Sequence, residues 1–173
     1  MTEPISTRNL DNLYGSAELP WSRAESALAA ATPTPDVTFF LATVRPDGRS
    51  HSAGLGGAWV DGALYFTSGP AALKARNLAM NPSCSVAVRM PGIDLVLEGE
   101  ARRVVDEPTL ERIASVYRSG GWPATVADGA LTAPYSAPSA GPAPWHLYRL
   151  ALRTAVGVAT VEPYGATRWD FAH

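Results

Sequence analysis

Cysteine is almost missing from this chain: Cys84 is the only one in 173 residues, so no internal disulfide can form. Its place in the apolar run CSVAV marks it as a small buried residue without chemistry. An excess of one charge is missing too. The 14 basic and 16 acidic residues leave a formal charge of −2, spread along the chain, so no nucleic acid or lipid partner is expected. No apolar run approaches the roughly 20 residues of a spanning helix. The start, MTEPISTRNL, has neither the basic opening nor the apolar centre of a secretion signal, and a cytoplasmic protein is expected. His51, His146 and His173 stand apart, with no carboxylate or cysteine at ligand spacing beside them, so no metal is expected.

What is present is 46% hydrophobic content, enough for the core of one domain. Residues 1–37 read as an N-terminal helical extension: SRAESALAAA is alanine-rich, with Ser22 as candidate N-cap, and TPTP breaks it. From Thr38 to the end at 173 the pattern is that of strands. TFFLATV, SHSAGLGGAWV and ALYFTS are separated by the turn signals RPDGR and DG, which predicts an antiparallel meander. CSVAVRM and DLVLEGEARRVV follow, and the second sets Leu95, Leu97 and Gly99 against Val96, Glu98 and Glu100, a half-buried alternation. Between Asp106, a candidate cap, and Gly120–Gly121, the spacing of Leu110, Ile113, Ala114 and Tyr117 predicts a helix. Residues 122–144 are rich in Pro, Ala and Gly and are expected to be a long loop, a lid or slack. HLYRLALRTAVGVATV and YGATRWDF close the chain, and the aromatic ending is expected to dock. The pattern predicts a small antiparallel barrel, mainly β with peripheral helices.

The stretch GALYFTSGPAALKARNLAMNPSC changes from strand to helix texture across Gly69 and Pro70. The free N–H groups at the start of that helix, with the Thr67 and Ser68 hydroxyls, can hold an anion such as phosphate. Lys74 and Asn77 are three apart on one helix face, whereas Arg76 projects roughly 160° from Lys74 at about 100° per residue. Only one of the two cations can face the same ligand. The other reading is a solvated pair of cations on an ordinary short helix, with Asn77 capping nearby backbone.

ATVRPDGRSH, WVDGALYFTSG, LKARNLAMNPS and the closing ATRWDF together resemble the flavin- and deazaflavin-dependent oxidoreductase superfamily. The resemblance implies the split β-barrel of pyridoxamine 5′-phosphate oxidase and a homodimer with the cofactor between subunits. It also implies a phosphate held by Thr67, Ser68 and Lys74, with Asn77 near them. The ring would rest on the strand that includes His51, Ser52, Leu55 and Gly56. Trp169 is a further candidate for cofactor contact or for closing over the partner subunit. The strand reads SAGLGGA where the pyridoxamine phosphate oxidases carry basic residues, and Leu73 replaces a basic residue, which argues against pyridoxal phosphate synthesis and tight FMN binding. KARNL and ATRW are similar to the actinobacterial branch that uses F420. The expectation is hydride transfer between F420 and a small organic substrate such as a quinone, tetrapyrrole or enone, with FMN as the alternative cofactor. A non-catalytic flavin or haem binder is the alternative function. No catalytic side chain is assigned.

Overall fold

The fold is described from a computed structural model covering residues 3–32, 34, 36–135 and 140–172; His173 and four residues of the 122–144 stretch lie outside these. The elements are β1 (Ser6–Asn9), α1 (Trp21–Ala30), β2 (Phe39–Val44), β3 (Ser50–Leu55), β4 (Gly57–Val60), β5 (Ala63–Ser68) and α2 (Leu73–Met80). There follow β6 (Ser83–Met90), β7 (Ile93–Val104), α3 (Glu107–Ser119), β8 (Thr125–Ala127), β9 (Ala130–Thr132), β10 (His146–Ala159) and β11 (Ala166–Asp170).

All strand pairs are antiparallel, and they run in a circuit. β2 pairs with β6, β6 with β7, β7 with β10, β10 with β5 and β5 with β4. β2 pairs on its other side with β3, and β3 continues into β4 through Gly56. The ring of a split barrel is thus completed by the bend of the chain, which leaves β3 with one unpaired edge. The meander predicted from the turns is present, with Gly48 at φ +82° in the β2–β3 turn and Asp61–Gly62 at +51° and +75° between β4 and β5. The run SHSAGLGGAWV is two strands instead of one. At the bend, Gly57 packs so tightly on Phe39 that a Cβ would lie 2.9 Å from that ring.

One core fills the barrel, built from Phe39, Leu41, Leu64, Phe66, Val86, Leu97 and Leu150 among others. A second lies outside it, where Leu110, Ile113, Ala114 and Tyr117 of α3 cover Ala63, Tyr65 and Leu147. The cap at Asp106 is as expected: its carboxylate accepts from the Thr109 N–H at 3.0 Å. α1 differs from its prediction, because Pro20 occupies the N-cap and no side chain caps the helix, so Ser22 lies inside it. Arg23 fixes α1 instead, donating to the carbonyls of Gly92, Val161 and Pro163. The first 37 residues also supply β1, an edge strand on β11.

Residues 122–144 carry the β8–β9 hairpin, turning at Asp128–Gly129 with φ +52° and +68°, where a long loop was expected. Leu131 is fully buried and bridges Trp145 by two backbone hydrogen bonds of 2.8 Å. The aromatic C-terminus docks, but on its own chain. Trp169 is 0% exposed, with its indole N–H donating to the Leu19 carbonyl at 3.2 Å and its ring 5.3 Å from Trp21. Phe171 packs on Trp21 at 4.9 Å. These two aromatics therefore give no surface to a partner, which removes them as an argument for dimerisation.

Candidate functional site

Alternation along each strand decides which sequence candidates share a face. On β3, His51, Ala53 and Leu55 turn toward the barrel interior, opposite Thr43, Leu41 and Phe39 of β2, while Ser52, Gly54 and Gly56 are exposed. The four candidates on this strand are thus split, His51 and Leu55 inward and Ser52 and Gly56 outward. A Cβ added at Gly56 would meet nothing within 4 Å, so the outer surface of the bend is open. β5 divides its pair as well. Ser68 follows Leu64 and Phe66 on the interior face and is buried, whereas Thr67 follows Ala63 and Tyr65 on the face toward α3. Their hydroxyls do not converge, contrary to the expectation that both serve one anion.

α2 brings the remaining candidates to β2 and β3. Asn77, 1% exposed, donates from Nδ2 to Thr43 Oγ1 at 3.0 Å, and the Thr43 hydroxyl donates to the His51 carbonyl at 3.4 Å. Asn77 is therefore a buried tether between helix and hairpin. Lys74, one turn earlier, emerges on that same face. It is half-buried, forms no ion pair among the described residues, and burial pushes its ammonium below the usual lysine range. Arg76 is exposed on another side, as the helical spacing predicts. The β2–β3 hairpin adds two buried polar atoms without a partner, His51 Nδ1 and Arg45 Nε. Arg45 was not singled out from sequence, because RPDGR reads completely as a turn and gives no sign that its first residue turns inward. An orphaned polar atom of this kind is uncommon in a folded chain and marks a place where a ligand can complete the bonding.

The sheet face outside β3 is apolar across five strands. The register aligns Gly54, Phe40, Ala87, Val96 and Val156 in one row, and Phe40 and Val96 are 54% and 37% exposed. The adjoining row, Ser52, Ala42, Ser85, Glu98 and Thr154, is more polar and borders a cavity of about 470 Å³. Cys84 also borders it, but burial pushes its thiol up to about 12, so it carries no thiolate near neutrality. Trp169 lies in the core behind this sheet and offers no contact to a ligand outside it. Among the described residues no group of three His, Cys, Asp or Glu could hold a metal ion, and no helix is long and apolar enough to cross a membrane.

A split barrel with an open-edged strand beside a short cationic helix defines the class of flavin-binding split-barrel proteins, which includes oxidoreductases. The chain belongs to the pyridoxamine 5′-phosphate oxidase family, whose model matches residues 27–145. Among solved structures, an F420 reductase is 25% identical, with a TM-score of 0.54 over 76% of this chain and 94% of that one. A pyridoxamine 5′-phosphate oxidase-related, FMN-binding protein from Nostoc punctiforme is 17% identical, with a TM-score of 0.56 over 87% and 90%. A haem-binding protein from Mycobacterium smegmatis is 18% identical, with a TM-score of 0.57, covering 87% of this chain and 58% of that one. A search of curated proteins finds no match.

Proposed function

We propose that the protein is an F420-dependent oxidoreductase that reduces a small organic substrate, working as a homodimer with the cofactor held against β3. The observation that carries this reading is the set of unpartnered polar groups at the hairpin and helix: His51 Nδ1, Arg45 Nε and a desolvated Lys74 without a carboxylate. Each is a donor that an anionic group of a cofactor would satisfy, and a negative charge beside Lys74 would offset the desolvation of its ammonium. The bare outer surface at Ser52, Gly54 and Gly56 fits a planar ring, since no side chain larger than Ser projects from it. The 25% identical F420 reductase supports F420 over FMN. So does Leu73, which stands, half-buried and apolar, where a second cation would serve an FMN phosphate.

When bound, reduced F420 supplies a hydride from its deazaflavin ring, and the protein's part is placement. Lys74 and the N–H groups at the start of α2 would hold the phosphate; Asn77, through Thr43, holds α2 in register with the hairpin. The β3 backbone edge, unpaired among the described residues, would offer N–H and C=O groups to the cofactor. Ala140–Pro144 face Gly69–Ala72 across a cleft of about 300 Å³, which brings the 122–144 segment beside the β5–α2 junction and supports its role as a lid over the substrate.

The test is a fluorescence titration of the purified dimer with F420 and with FMN, followed by turnover of reduced F420 against quinones, enones and tetrapyrroles. Saturable F420 binding tighter than FMN, with oxidation of reduced F420 by at least one substrate, is expected. Tighter FMN binding would replace the cofactor assignment, and retention of either without turnover would make the protein a carrier.

A further inference from the structure

The other side of α2 holds a second constellation. In the β5–β10–β7 register Ser68 is opposite His146 and Phe66 opposite Tyr148, while Tyr148 and Leu150 are opposite Arg103 and Ala101. His146, Tyr148, Ala101 and Arg103 therefore share one face, and α2 crosses above it with Ala75 and Leu78 turned inward. The space between helix and sheet is a cavity of about 430 Å³, with Arg76 and Arg102 at its rim. That is the size range of a small-molecule site.

Its charge is one-sided. Arg76, Arg102, Arg103 and His146 line it, and no carboxylate does. Glu100 occupies Arg102 at 2.7 Å, and Arg103 gives Nη2 to the Gly129 carbonyl at 3.2 Å, which leaves the rest of its fork unused. The Arg76 guanidinium, the His146 ring and the Tyr148 hydroxyl have no hydrogen-bond partner among the described residues. Burial and the neighbouring Arg103 push the His146 imidazole below its ordinary range. Guanidiniums gathered round a cavity repel one another, and an acceptor of opposite charge relieves this. The remaining wall, from Ala75, Leu78, Ala79, Ala101 and the Tyr148 ring, is apolar.

We infer that this cavity binds a small organic anion, an apolar body with a carboxylate or phosphate head, at a site separate from the cofactor face. Arg76 and Arg103 grip the head, His146 and Tyr148 add hydrogen bonds, and the alanine-lined wall takes the body. No lining residue belongs to the set at Arg45, His51, Lys74 and Asn77, so the site stands independently of the cofactor assignment.

The experiment is an NMR titration of the full-length protein with phenyl phosphate and with phenylacetate, and with inorganic phosphate and phenol as the two fragments, following the His146 and His51 ring signals. Phenyl phosphate or phenylacetate is expected to shift His146 saturably and to bind more tightly than either fragment; whichever is tighter identifies the head group. Arg76→Gln and Arg103→Gln each weaken binding about tenfold or more, the loss expected for one charge-assisted hydrogen bond. Arg149→Gln, on the opposite face of β10, leaves it unchanged. Failure of both aromatic anions to move His146, equal binding of inorganic phosphate, indifference to the two arginine changes, or a response at His51 in place of His146 would each overturn the inference.

Discussion

Lys74 and Arg76 are two residues apart and chemically alike, and the helix gives them different work. Lys74 sits half-buried on the Asn77 face, while Arg76 is exposed toward another cavity. Lys74→Ala is expected to weaken cofactor binding by ~1–3 kcal/mol, the range for a charge-assisted hydrogen bond. Arg76→Ala should cost clearly less in the same titration; equal losses would mean that both cations reach one ligand. Asn77 makes a different prediction, because its amide is fully enclosed and bonded to Thr43. Asn77→Ala leaves a buried hydroxyl short of its donor and should destabilise folding by ~1–3 kcal/mol in urea denaturation without cofactor. An unchanged midpoint would show that the tether carries no weight. Spacing alone placed Asn77 beside Lys74, but it could not distinguish a residue aimed at a ligand from one aimed at a neighbouring strand. The partner, Thr43, is 34 positions away.

Elements were legible where local chemistry fixed them and the strands were long enough to show alternation. The turns at Gly48 and Asp61–Gly62 require positive φ, and Asp106 caps its helix with its own side chain, so the β2–β3 and β4–β5 hairpins and α3 could be read from short windows, though not the break between β3 and β4 at Gly56. The β8–β9 hairpin carries the same Asp–Gly turn, Asp128–Gly129 at φ +52° and +68°, but its strands have only three residues each, held by Leu131 packing under α3 and bridging Trp145, so no alternation showed and the segment read as loop. The same tertiary origin explains β1, whose polar STRN sequence pairs only because β11 offers an edge. Among the described residues of 122–144, the hairpin, Tyr135, whose hydroxyl donates to the Gly121 carbonyl at 3.3 Å, and the stretch facing Gly69–Ala72 are anchored. Shortening the 122–144 segment outside the hairpin should change substrate range or turnover, with folding and cofactor affinity nearly intact. Wild-type kinetics on every accepted substrate would make the segment a spacer.

At the scale of the molecule, the closing ATRWDF invited the idea that its aromatics dock on a partner, but α1 supplies Trp21 as their cover within one chain. A sequence cannot show which surface receives a tryptophan, since burial within a protomer and burial between protomers leave the same pattern. The unsatisfied apolar surface lies elsewhere, on the outer sheet face, where Phe40 and Val96 stand exposed and Val158, 47% exposed, extends the patch. That face adjoins the bare side of β3, so a second copy docked on it would also cover a ring held there. In the proposed homodimer, Phe40→Glu should therefore yield a monomer at micromolar concentration in analytical ultracentrifugation, because desolvating a carboxylate in the middle of an apolar row is costly. The side chain points away from the core, so the far-UV spectrum and thermal midpoint should change little, while cofactor affinity falls together with the dimer. A Phe40→Glu protein that remained dimeric, or a monomer that bound cofactor as tightly as the parent, would separate the apolar row from the cofactor site.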